Sequence, residues 1–374
     1  MNNSLNNTAY NSLSSRRYWV WFAVFLLPVS FVLAISLGTI SISFVEIFAV
    51  FSPSEGSLSA EGSLSTEGSL SAEGSLSAEG SRTRLIIEQI RLPRALLAAF
   101  VGALLGICGA ATQGLFRNPL ADPSLIGVTS GASAGAAITI FFAGSVSSLQ
   151  GFAGIGFISL GAFIGGALAV ILVYKLATQH DGTSVATMLL AGIAITAIAG
   201  GISSFVEFFA NNEMLRRISL WQMGGLDGAN YQRVALAAAI GLLVLSILPR
   251  YSTALNALLL GESEARYLGI SVQRTKISII LLVALGVATS VALAGTIAFV
   301  GLVVPHIIRL LIGPDHRYLL PMSAIGGAIL LLLADTLART VVAPIELPVG
   351  LVTAFLGTPF FISLLRHRHV FGMR

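Results

Sequence analysis

Apolar runs of about 20 residues recur along most of this chain, and each is long enough to cross a hydrocarbon core of about 30 Å as an α-helix. In lipid every backbone N–H and C=O must be paired within the segment or its closed sheet, so these runs constrain the fold more than any other feature. They lie near residues 18–38, 92–113, 124–144, 151–176, 184–210, 231–249, 276–296, 297–312, 318–341 and 345–365. They predict an all-α polytopic membrane protein with ten transmembrane helices. The pair meeting near residue 296 has an alternative, because glycines at 295 and 301 in LAGTIAFVGL also suit one broken helix. Composition agrees: 55% of residues are hydrophobic and 10% charged, whereas a soluble domain carries roughly 25% charged residues.

Several function classes are poorly served. The basic residues are scattered rather than gathered into a stripe, which argues against nucleic acid as a partner despite a pI near 9.5. Cys108 is the single cysteine, so neither an internal disulfide nor a multi-Cys metal site is expected. Lys175 and Lys276 are the lysines, and neither ends a G-x-x-x-x-G-K loop. If ATP drives this protein, another chain must bind it.

Residues 1–17 are rich in Asn and Ser, a composition that predicts disorder, and Arg16 and Arg17 precede the first apolar run. That run is long and lacks a small-residue cleavage site, so it reads as an uncleaved helix rather than a signal peptide. Residues 55–81 repeat the unit EGSLSA; its apolar positions are too sparse to bury a face, so a flexible loop insertion is expected over 53–81. The membrane domain is expected to span 18–366, with a short tail over 367–374. Pairs such as Gly102/Gly106 and Gly161/Gly165, and the trio Gly127/Gly131/Gly135, let helix backbones approach closely where lipid supplies no hydrophobic drive.

Ten crossings place both termini on one side. Taking that side as cytoplasmic puts 13 of the 21 basic residues inside, in keeping with the positive-inside rule. Arg82, Arg84, Arg91, Arg94, Arg216, Arg217, Arg233 and Arg339 are then left outside. Snorkelling at the interface explains most of them. Arg91 and Arg94 in IRLPR are harder to explain, because Pro93 favours the first helical turn and a helix N-terminus disfavours cations. A patch awaiting an acidic partner would need them, since guanidinium forks match carboxylates.

Other candidates carry bland readings beside sharper ones. Asp335 lies in an apolar run, where a carboxylate is a functional hypothesis, but Arg339 is one helical turn away and suits a local ion pair. Glu207 reads as interfacial. His306 has no second ligand at helical spacing, so a hydrogen-bonded structural role is expected. RNPLADP, with Asn118, Pro119, Asp122 and Pro123, predicts a rigid turn.

The stretches GICGAATQGLFRNPLADPSLIGVTSGA (106–132), LLLGESEARYLGI (258–270), AGTIAFVGLVVPHIIRLLIGPDHRYLLP (294–321), LLLADTLAR (331–339) and ELPVGLVTAFLGTPFFISLL (346–365) resemble the FecCD-type permeases. These are membrane subunits of bacterial ATP-binding-cassette importers for iron–siderophores, haem and cobalamin. The likeness covers about 85–366, with the first helix matching in pattern only and the EGSLSA insertion as the main departure. The resemblance implies a type II importer permease in the bacterial cytoplasmic membrane. It also implies a second permease subunit, two cytoplasmic ATPases that hold ATP and magnesium, and an external substrate-binding protein. No cofactor or metal is expected in this chain itself. By the same resemblance Arg91, Arg94 and Arg339 face acidic residues of the binding protein. The GE-x-x-A-x-x-LG pattern is similar to the helix that couples the permease to the ATPase, here Gly261, Glu262, Ala265, Arg266, Leu268 and Gly269. Gly261 and Gly269 suit the ends of a short helix, and Ala265 with Leu268 would form a small apolar face; an ordinary amphipathic loop is the alternative.

The expected function is an importer permease without bond chemistry, with ferric siderophore ranked above haem and cobalamin as cargo. The rival is a secondary transporter working alone, with Asp335 and Glu207 as ion couplers. An intramembrane enzyme would need paired catalytic groups, which the apolar runs lack.

Overall fold

The computed structural model describes residues 2–38, 42, 43, 46, 47, 81–145, 152–179 and 182–366. The expected loop over 53–81 lies outside the described residues except for Ser81, which begins a helix, and the tail over 367–374 lies outside them as well. Helix α1 runs Asn2–Ser36. Residues 2–17, expected to be disordered, therefore continue the first helix; no Gly or Pro precedes Pro28 to stop it, so helical geometry propagates outward from the apolar part.

Helix α2 is continuous over Ser81–Leu115, and its middle is not regular. Residues Ile86–Arg91 form a π-helical turn in which the Leu92 N–H reaches the carbonyl of Ile87. The cause is Pro93, which lacks an N–H and whose ring crowds the carbonyl four residues earlier; a widened turn relieves that clash. Pro93 thus sits inside the helix rather than opening it, and Arg82 and Arg84 lie on its first turn instead of in a loop.

The remaining helices are α3 (Val128–Ser145), α4 (Phe152–Ala177), α5 (Val185–Phe209), α6 (Asn212–Gln222), α7 (Tyr231–Ile247), α8 (Ser252–Leu260), α9 (Glu262–Tyr267), α10 (Val272–Ala294), α11 (Val300–Ile312), α12 (His316–Thr340) and α13 (Val349–Arg366). Two-residue strands β1 (Thr178–Gln179) and β2 (Gly182–Thr183) pair antiparallel between α4 and α5. Among the described residues seven helical stretches are long and apolar enough to cross a membrane, and three shorter apolar helices, Val128–Ala143, Val300–Ile312 and Val349–Ser363, accompany them. Helix α11 has 13 residues, about 20 Å at 1.5 Å per residue, well short of a full crossing. It is a separate element from α10, because Gly295 and Phe299 both take positive φ, at 68° and 67°, and break the helix between them.

Helix α2 is the centre of the bundle, packed by α12, α11, α10 and α7. Its closest neighbour is α12: a Cβ on Gly102 would collide with the Gly327 carbonyl, and one on Gly106 with that of Ser323. The same device joins α3 to α4 through Gly131, Gly135, Gly161 and Gly165. Helices α4 and α5 instead leave large apolar side chains exposed, among them Leu168, Leu190, Ile193, Phe205 and Phe208.

The helices sort their ends into two faces. The end of α1, the part of α2 around residues 91–94, the end of α12 and the 341–348 stretch meet at one end, through Arg339 and Arg94. The α2–α3 turn, β2, α8, α9 and the start of α12 gather at the other.

Candidate functional site

At the first end, two of three buried arginines share Asp335, and one of these two also holds Glu346. Arg94 Nε donates to Asp335 Oδ1 at 2.9 Å, and its Nη1 donates to Glu346 Oε2 at 2.7 Å. Arg339 Nε lies 3.0 Å from the other Asp335 oxygen. Asp335, 1% exposed, is thus held between two guanidinium groups from different helices. A carboxylate at this depth needs such pairing, since an uncompensated buried charge is strongly destabilising.

Two of the arginines also close the end of α1. Arg91 Nη1 donates to the carbonyls of Ile35 and Ser36 at 2.6 and 2.8 Å. Arg339 Nη2 donates to that of Ala34 at 2.9 Å, and its Nη1 to that of Leu37 at 3.3 Å. The last carbonyls of a helix have no partner within it, and its C-terminus carries partial negative charge that attracts cations. Arg91 of α2 and Arg339 of α12 therefore serve the end of another helix.

This corrects one expectation. Arg91, Arg94 and Arg339 are 5%, 7% and 5% exposed, so they are not displayed outward as an open patch. Local sequence predicted the Asp335–Arg339 pair, but Arg94 and Glu346 join it from 241 and 11 residues away and were legible in no local pattern. Glu346 is the more exposed partner, at 39% of its side chain.

Three of the other expected outer arginines find neighbours as well. Arg84 pairs with Glu88, and Arg217 with Glu213 on α6. Arg233 donates to the Leu293 carbonyl at 3.2 Å and, more weakly, to Ser159. Helix α6, capped by the Asn211 side chain and burying Met214 and Ile218, is too short and too polar to stand out as a long apolar run.

At the opposite end, α9 is set off by glycines. Gly261, at φ 137°, ends α8 and begins α9. Gly269, at φ 82°, closes α9: its N–H reaches Arg266 O and the Ile270 N–H reaches Ala265 O, at 2.9 and 3.0 Å. That paired closure is the Schellman arrangement, which requires a left-handed residue at the glycine. The expected apolar face is divided. Ala265 is fully buried, while Leu268 is 64% and Tyr267 92% exposed, because Leu268 lies past the last helical turn. Ala265 anchors the helix, and Tyr267 with Leu268 forms the outward apolar tip. Arg266 is exposed beside them. Glu262 points back and pairs with Lys276 of α10 at 2.6 Å, and the same ammonium donates to Thr183 O of β2 at 2.8 Å. Glu264, exposed on α9, is held below the usual carboxylate range by its own backbone N–H and the Ser263 hydroxyl.

The rigid turn is as expected: Asn118 accepts from Leu120 N, and Asp122 caps the turn Pro123–Ile126 through Ser124 N. His306 differs. It packs edge-on against Phe360, and neither ring nitrogen bonds to a described residue, so apolar packing holds it. Glu207 accepts from Gln222 at 3.1 Å. Among the described residues no cluster of His, Cys, Asp and Glu could hold a metal.

Comparison with known proteins agrees with this architecture. The model of the FecCD transport family matches residues 26–367. A hemin transport system permease protein of Yersinia pestis is 45% identical over 277 residues, covering 74% of this chain and 82% of that protein. A cobalamin import system permease protein of Halobacterium salinarum is 43% identical over 287 residues, covering 77% and 75%. A solved inward-facing structure, described as a candidate metal-chelate type ABC transporter, superposes with a TM-score of 0.77 at 29% identity, over 94% of this chain and 99% of the other.

Proposed function

The chain belongs to the FecCD transport family, and on that premise we propose that it is the membrane permease of an ATP-driven importer of metal chelates. The observation that carries this reading is α9, a glycine-bounded helix with its Ala265 side anchored and its Tyr267–Leu268 tip exposed. It lies at the end opposite the arginine cluster. A nucleotide-driven partner that grips this tip moves α8 and α10, to which α9 is joined by Gly261 and by the Glu262–Lys276 pair. The roles of Gly261, Glu262, Ala265, Arg266, Leu268 and Gly269 in coupling follow from that placement.

The partners in this reading are a second permease copy or close paralogue, two ATPases holding ATP and magnesium in the cytoplasm, and an external substrate-binding protein. The exposed apolar side chains of α5 suit a second permease or lipid. The binding protein docks at the arginine end, where Arg91 and Arg339 shape the surface by holding α1 and Arg94, behind the part-exposed Glu346, supplies the charge. In this reading α3, α13 and α11, the last completed by the non-helical residues 295–299 that lead into it, bring the crossings to ten, and both termini face the cytoplasm of a bacterial inner membrane.

Ferric siderophore, haem and cobalamin are cargoes of one chemical class, a metal held in an organic chelate. The relatives named for hemin and cobalamin support those two, and a ferric siderophore shares their chemistry. The lone-transporter reading is less well served, since Asp335 sits between two arginines and Glu207 is engaged by Gln222.

The test is reconstitution in vesicles with the ATPase subunits and binding protein, followed by uptake of a labelled ferric siderophore, hemin and cobalamin. Uptake of one chelate that needs both ATP and the binding protein is expected. Flux through the isolated chain, without an ATPase, would overturn the reading.

A further inference from the structure

Arg94 holds two carboxylates of unequal standing. Asp335 is fully enclosed, fixed from its other side by Arg339, and belongs to the same helix as that arginine. Glu346 has 39% of its side chain exposed and lies on a stretch whose residues 341–346 all face solvent. Besides the Arg94 pair, the bond from Leu347 N to Ala338 O, at 3.0 Å, ties this stretch to α12. Two residues later, at Val349, α13 begins.

A guanidinium 7% exposed cannot wait empty for a partner, because leaving a buried charge unpaired is costly. Replacing one carboxylate by another on the same fork keeps the charge paired throughout and so costs little. Glu346 is the member of the cluster that solvent reaches, and its departure would open the way to Arg94.

We infer that Glu346 is a resident stand-in for a docking partner's carboxylate: an acidic side chain of the partner takes its place on Arg94 and frees the 341–348 stretch. This inference rests on the docking reading above and adds to it the mechanism of exchange. Docking then loosens the linker into α13, giving the outer face a direct connection to one helix of the bundle. The partner surface it fits is acidic, with a carboxylate projecting far enough to replace a glutamate.

The experiment uses the full complex in lipid nanodiscs and the substrate-binding protein that co-purifies with it. Cys108 is fully buried, so a spin label on Ile345→Cys, at a residue 67% exposed, reports selectively on the stretch. Exchange predicts that the label gains mobility when the binding protein is added, and that Glu346→Gln makes it mobile beforehand. Glu346→Gln should also bind the partner roughly two- to fivefold tighter, the worth of one partly exposed pair. Glu88→Gln makes the same charge change at the same end without vacating Arg94, and should leave affinity unchanged.

Equal tightening by both variants would show a general charge effect and overturn the exchange. A label that stays restrained while the partner binds would also overturn it and leave docking intact. Wild-type complex that binds no substrate-binding protein would defeat the docking reading itself, and the exchange with it.

Discussion

Lys276 Nζ and Glu262 Oε1 lie 2.6 Å apart, which joins the short helix α9 to the start of α10 across a glycine-bounded corner. The ammonium is nearly enclosed and also bonds to Thr183 O, so one side chain ties together α9, α10 and the β2 strand. A push on α9 therefore reaches two other elements without passing through a flexible loop.

Lys276→Met should break that tie. It removes a charged donor from two acceptors, at a cost of about 1–3 kcal/mol, and frees α9 from α10. The expected result in reconstituted vesicles is a fall in cargo moved per ATP hydrolysed, several times larger than any fall in hydrolysis itself. Parallel losses in both would show that the pair supports folding or assembly rather than transmission.

Tyr267→Ala and Leu268→Asp remove or spoil the exposed tip of α9. Both residues are solvent-facing in the chain, so stability should change by only about 0.5 kcal/mol or less. Co-purification of the ATPase subunits should be lost, most clearly in the double variant. Retention of the ATPase at wild-type stoichiometry would exclude this tip from the interface.

Asp335→Asn leaves Arg94 and Arg339 buried with half their compensation gone. Breaking a buried ion cluster in this way costs about 3–5 kcal/mol, to be seen as a lower unfolding midpoint in detergent. An ion-coupling role predicts the opposite pattern: an unchanged midpoint with loss of gradient-driven uptake.

Gly106→Val should fail for a different reason. Its Cβ meets the backbone carbonyl of Ser323, which cannot rotate away, so the cost should reach or exceed the roughly 1–3 kcal/mol typical of overpacking. Yield of monodisperse protein is the measurement. Gly200, with nothing within 4 Å of its Cβ position, should accept valine in the isolated subunit; equal damage at both sites would refute the packing account.

Much of this was readable in advance where the physics is local. The apolar runs located the helices because lipid demands uninterrupted hydrogen-bonded segments, and Gly261 and Gly269 located α9 because a left-handed residue must close it. Helix ends were less legible. Pro93 suggested a helix start, yet the π-helical turn at Ile86–Arg91 absorbs it, and length alone did not reveal that α11 would fall short of a crossing. The arginines were the largest miss. Their burial depends on carbonyls from α1 and on Glu346, which sequence spacing does not bring together, so their charge suggested display to solvent. The glycine pairs, by contrast, were correctly read as sites of close backbone approach at Gly102, Gly106, Gly161 and Gly165.

Between α2 and α12 the main chains themselves touch at Gly102 and Gly106, with no flexible side chains between them to act as a hinge or cushion. The two helices therefore form a single stiff keel that cannot shear internally. Any alternation between openings must be taken up outside this pair, and crosslinks placed across other seams of the bundle, rather than across the keel, should be the ones that stall the transporter.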